Sequence, residues 1–128
     1  MAKTIATILG AIFILVGLLG FVMPNLLGAH LSAAHNIIHL VTGAVSLYLG
    51  LAGSLSAARI FCLAFGAVYL LLGVVGFAAG DGEQRMLELI PGRLAFGTMD
   101  HIIHVLFGLV YLVGGLMTRA DATAPATT

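Results

Sequence analysis

Four stretches of this chain, at about 5–22, 31–51, 59–79 and 98–117, are almost unbroken runs of apolar residues. Each is close to the roughly 20 residues a helix needs to cross a bilayer. In hydrocarbon every backbone N–H and C=O must be satisfied inside the segment or in a closed barrel, so runs of this length specify helices. Composition leaves little for a soluble domain. Of the 128 residues 61% are hydrophobic and 8% charged, and mean hydropathy is +1.17, whereas soluble domains carry roughly a quarter charged residues. The expected fold class is all-α: one four-transmembrane-helix bundle over 1–118, followed by a polar, disordered tail over 119–128.

The first run is too long for the roughly 7–15-residue apolar region of a signal peptide. It also has a counterpart in the middle of the chain, which no signal would have. A shift of 56 places Gly10, Gly17 and Gly20 on Gly66, Gly73 and Gly76, and a shift of 65 places His39, Gly43 and Gly50 on His104, Gly108 and Gly115. The chain therefore reads as two tandem helical hairpins. Two spans per copy insert both copies the same way up, so the pseudo-two-fold axis runs along the membrane normal.

Each run carries two glycines seven residues apart: Gly10 and Gly17, Gly43 and Gly50, Gly66 and Gly73, Gly108 and Gly115. Seven residues are nearly two helical turns, so each pair makes a small-residue stripe of the kind that lets membrane helices approach closely. His39 and His104 stand four residues before Gly43 and Gly108 and are expected to face inward with them. His35 shares a face with His39, and Asp100 with His104, while His101 lies about 60° away. The polar connection from 83 to 90 alternates Met86, Leu87, Leu89 and Ile90 with charged residues. It predicts a short amphipathic surface helix ended by Pro91-Gly92.

The charges balance, five Lys and Arg against five Asp and Glu. No basic face for nucleic acid exists. Cys62, the one cysteine, cannot form an intrachain disulfide and reads as a small apolar packing residue. With both termini in the cytoplasm, Lys3, Arg59 and Arg119 fall on the inner side and Arg85 and Arg93 on the outer, three cations against two. His30, His35, His39, Asp100, His101 and His104 then gather in the outer half. Tyr48, Tyr69 and Tyr111 are expected in packing or at the membrane interface.

The sequences His35-Asn36-x-x-His39-x-x-x-Gly43, Ala58-Arg59 and Asp100-x-x-x-His104-x-x-x-Gly108 resemble the small bacterial four-helix membrane proteins grouped as domain of unknown function 4383. Nearly the whole chain takes part in the resemblance. It implies an inner-membrane location, a four-span fold and matching positions at His35, Asn36, His39, Arg59, Asp100 and His104. It implies no activity, and His101 has no assigned place in the pattern.

Ionisable groups inside membrane spans are costly and mark where function resides. Three readings of the cluster stand side by side. His35, His39, Asp100, His101 and His104 could ligate a divalent metal such as zinc, copper or iron. Alternatively, His39 and His104 could hold a b-type haem between them, with Arg85 or Arg93 on its propionates. In the third reading His, Asn and Asp hydrogen-bond across the bundle and fix its register, which suits a structural or accessory subunit of a homo-oligomer or larger membrane complex. A proton relay through His39, His104 and Asp100 is a variant of the last. In a purely structural cluster Asp100→Asn is expected to be milder than His39→Ala or His104→Ala. Phosphate loops, nucleophile elbows and His-Glu-x-x-His motifs are absent, so catalysis finds no support.

Overall fold

The computed structural model describes residues 1–119. Four helices occupy most of it: α1 Ala2–Gly20, α2 Ala33–Ala52, α3 Leu55–Ala79 and α4 Thr98–Leu116. All four are long and apolar enough to cross a membrane. Large apolar side chains such as Leu15, Val41, Ile60 and Leu106 stand exposed on all four helices, the surface that a hydrocarbon solvent requires. The helices start where the chain supplies acceptors for their first N–H groups. Ser32 Oγ accepts from the His35 N–H and Ser54 Oγ from the Ala57 N–H, so α3 begins four residues earlier than its apolar run suggests.

Antiparallel hairpins α1–α2 and α3–α4 are held together at the glycine stripes. A Cβ built on Gly10 would lie 2.6 Å from the Leu47 backbone nitrogen and 2.9 Å from the Gly43 carbonyl oxygen. In the second hairpin, Gly66 meets the backbone of Leu112 and Gly108 in the same way, at 2.7 and 3.0 Å. These contacts are repeat equivalents, residue for residue. The two helices of each hairpin touch backbone to backbone, which only glycine permits.

An aromatic core joins the hairpins. Phe13 stacks on its repeat counterpart Tyr69 at 5.5 Å between ring centroids and meets Phe107 edge-on at 5.1 Å. Ser46 donates to the Ala6 carbonyl at 2.7 Å, so the Tyr111 hydroxyl, 2.9 Å away, donates to Ser46. Cys62 is fully buried in this core, with its Sγ 3.6 Å from the Ala2 carbonyl oxygen. At the termini end of the bundle, Thr118 accepts the Ala2 N–H at its Oγ1 and the Arg59 Nε–H at its carbonyl, both at 2.8 Å. Arg59 thus satisfies a carbonyl just beyond the end of α4.

The segment read as an amphipathic surface helix is instead an antiparallel β-hairpin, β1 Leu87–Ile90 and β2 Leu94–Phe96. Pro91 and Gly92 are the central residues of its turn. Gly92 adopts φ +75°, and the Arg93 N–H closes the turn on the Ile90 carbonyl, which together fit a type II turn. Leu94 and Phe96 are buried while Ala95 between them is half-buried, a period-two pattern that a helix cannot present to one face. A short 3₁₀ turn, Leu26–Gly28, occupies the corresponding connection of the first hairpin. The expected tail lies, beyond Arg119, outside the described residues.

If backbone contact at the glycine stripes holds each hairpin, Gly43→Leu and Gly108→Leu each lower the unfolding free energy in detergent by about 1–3 kcal/mol, the usual cost of overpacking. The lipid-facing Val41→Leu changes it by less than about 0.5 kcal/mol. Equal stability of all three variants contradicts the packing described.

Candidate functional site

Residues 30, 35, 39, 96, 100 and 104 meet at the end of the bundle where α2 and α4 begin. Asp100 lies in the first turn of α4 and is 2% exposed. Its Oδ2 accepts the Gly97 N–H at 2.8 Å, closing the N-terminus of its own helix. The same carboxylate accepts from the other hairpin: the His30 backbone N–H at 3.1 and 3.2 Å and the His30 ring Nδ1–H at 3.0 Å. One side chain therefore caps α4 and ties it to the α1–α2 connection. A helix N-terminus favours a negative group at this position.

The network continues from His30 into α2. His35 Nδ1–H donates to the His30 carbonyl at 2.8 Å, which fixes the ring and leaves Nε2 as its acceptor. The His35 ring lies 4.2 Å from that of His39 and 6.2 Å from that of His104, centroid to centroid. Phe96 of the β-hairpin covers them, its ring 4.9 Å from His35 and 4.7 Å from His104. Phe13 packs on His39 at 5.3 Å and Tyr69 on His104 at 5.7 Å, again repeat equivalents.

His39 and His104, unlike His35, make no hydrogen bond among the described residues, and the buried Nδ1 of each lacks a partner. Between them and α1 lies a cavity of about 140 Å³ whose lining also includes Phe13 and Phe107.

Asn36 and His101 occupy equivalent positions in the two repeats, each packed against an equivalent glycine of the facing helix, Gly20 and Gly76. The Asn36 side-chain N–H donates to the Leu31 carbonyl at 3.4 Å. His101 is fully buried, and its Nε2–H donates to the Arg85 carbonyl at 2.7 Å. His101 therefore stands against α3, away from the other histidines. Arg85 does not reach toward the cluster. Its guanidinium donates to the Phe77 and Ala78 carbonyls at the end of α3, where a cation is favourable.

Of the residues predicted as ligands, the fold brings His35, His39 and His104 together, commits Asp100 to N–H donors and sets His101 apart. Among the described residues no three His, Cys, Asp or Glu side chains are grouped to hold a metal ion. A haem fits poorly for a geometric reason. Gly43 and Gly108 face the backbone of α1 and α3 and open no slot between His39 and His104, and the cavity is well below the roughly 300–1,000 Å³ of cofactor pockets.

His30 was expected in the outer half with the cluster, but its loop sequence gives no sign that it will bond to Asp100, and Phe96 was not anticipated. Phe96 was detectable in the Leu94-Ala95-Phe96 alternation.

No curated protein and no solved structure matches the chain. A family profile does, over residues 3–117, the whole of the four-helix region. The chain belongs to the family described as Domain of unknown function (DUF4383).

Proposed function

We propose that this protein is a structural or accessory subunit of the bacterial inner membrane, with both termini in the cytoplasm, serving a homo-oligomer or a larger membrane complex. The observation that carries this reading is the saturation of Asp100. Its oxygens are occupied by N–H groups of Gly97 and His30, so the most acidic group of the cluster is engaged in holding the two hairpins in register rather than held open for a ligand. Tyr111, which donates to Ser46, and Thr118, which accepts the Ala2 N–H, serve the same end across the two hairpins.

Metal binding is the second reading. It is favoured by one observation: His35 is oriented through its Nδ1 by a backbone carbonyl, as metal-bound histidines usually are. On this reading His35, His39 and His104, and not Asp100, are the ligands, drawn closer together than in this structure, where among the described residues no three such side chains are grouped to hold an ion.

Structural service by Asp100 makes its truncation the most damaging in the cluster. Asp100→Ala strands the Gly97 and His30 donors and lowers the unfolding free energy by about 2–3 kcal/mol, the upper range for leaving buried donors unsatisfied. His30→Ala removes only the ring contact and costs about 1 kcal/mol. His39→Ala falls below Asp100→Ala. Metal analysis of protein purified without chelators or a histidine tag reads the two functions apart. The structural reading predicts folded, metal-free protein; near-stoichiometric zinc, copper or iron that disappears in His39→Ala overturns it.

Orientation has its own test. Glu83 is exposed in the connection leading to the β-hairpin, and Cys62 is buried. A membrane-impermeant maleimide is therefore expected to label Glu83→Cys in intact cells stripped of their outer layer. Labelling only after lysis places the termini outside instead.

A further inference from the structure

The clamp at Asp100 leaves two histidines without a task. His39 and His104 are 7% and 5% exposed, make no hydrogen bond among the described residues, and each buries an unpartnered Nδ1. A buried polar atom without a partner costs roughly 1–3 kcal/mol. Asn36 Oδ1 and His101 Nδ1 are unpartnered as well, but only His39 and His104 also line a cavity, where a partner from outside the chain can meet an imidazole.

The cavity beside them describes that partner. Its volume is about 140 Å³, and an apolar cavity of about 150 Å³ accommodates a benzene ring. Phe13 and Phe107 supply aromatic walls, and Ile12 and Leu27 line it as well. Both of these aliphatic residues are exposed on the apolar perimeter, so the cavity communicates with the acyl-chain region beside α1 and α4. At this rim Leu27 holds φ +57°, a left-handed conformation that a bulky residue rarely adopts and that recurs at ligand clamps.

We infer that the cavity binds the head of a lipid-soluble molecule built on a single six-membered ring carrying a hydrogen-bonding oxygen, a quinone or phenol with a hydrocarbon tail. The ring lies against Phe13 and Phe107. Its oxygen meets the imidazole of His39 or His104, where a neutral ring offers one donor and one acceptor nitrogen and so suits either a carbonyl or a hydroxyl. The tail leaves past Ile12 and Leu27 into the bilayer. An acyl chain alone would leave both imidazoles unpartnered. Asp100 and His35 also line the cavity, so the site adjoins the clamp, although neither His39 nor His104 bonds to Asp100.

The test uses the full chain with ¹⁵N-labelled histidine in nanodiscs of a synthetic phosphatidylcholine. 4-Decylphenol is the probe, and decylbenzene, with the same ring and tail but no oxygen, is its control. The His39 and His104 imidazole resonances are expected to shift saturably with 4-decylphenol while those of His30 stay in place, and decylbenzene is expected to bind at least about tenfold more weakly, the equivalent of one hydrogen bond. Ile103→Trp, which fills the cavity, abolishes the shifts. Absence of a saturable shift, equal response to decylbenzene, or full binding by the His39→Leu/His104→Leu protein overturns the proposal. Because probe and control are compared on the unaltered chain, a variant that fails to fold does not blunt the test.

Discussion

A carboxylate at the end of a membrane helix persists only if its oxygens are satisfied, and the arrangement that satisfies Asp100 also joins the two halves of the molecule. Its own helix supplies the Gly97 N–H, and the opposite hairpin supplies the backbone and ring N–H groups of His30. His30 in turn presents its carbonyl to His35. The orientation of the His35 ring thus descends from one acidic side chain. Near a membrane such a chain of bonds is strong because the alternative, an unsatisfied charge in a medium of low dielectric, is so unfavourable.

Duplication explains why the partners lie where they do. A pseudo-two-fold axis brings residues near it face to face with their own equivalents, so divergence between the copies turns identical positions into complementary ones. Phe13 and Tyr69 stack on each other across this axis, and Ser46 accepts from Tyr111. Asn36 and His101 also diverged at equivalent positions, but away from each other, each facing a glycine of its own hairpin. The glycine stripes stayed alike in both copies because backbone contact tolerates no side chain, whereas the interior could diversify.

Periodicity and small-residue spacing made the spans, the hairpins and the inward face of His39 and His104 legible, since each is a property of one helix. The β-hairpin was not, because Met86, Leu87, Leu89 and Ile90 satisfy a helical pattern when taken alone. Only the strand alternation beyond Pro91-Gly92 distinguishes the two. The equivalence of Asn36 and His101 was contained in the shift of 65, yet it was masked by the difference in residue type. The Asp100–His30 contact lay beyond any local reading, since 70 residues separate its partners and a turn of irregular backbone delivers one of them.

Amide hydrogen exchange at His30 and Gly97 in lipid nanodiscs tests the central claim most directly. Both are loop or cap residues, and exposed loop amides exchange quickly. If Asp100 ties the hairpins together, these two amides exchange as slowly as those inside α2 and α4. Exchange at the rate of the β-hairpin turn would mean that the carboxylate does not hold them, and that the halves of the bundle are joined by the aromatic core and the contacts at the termini end instead.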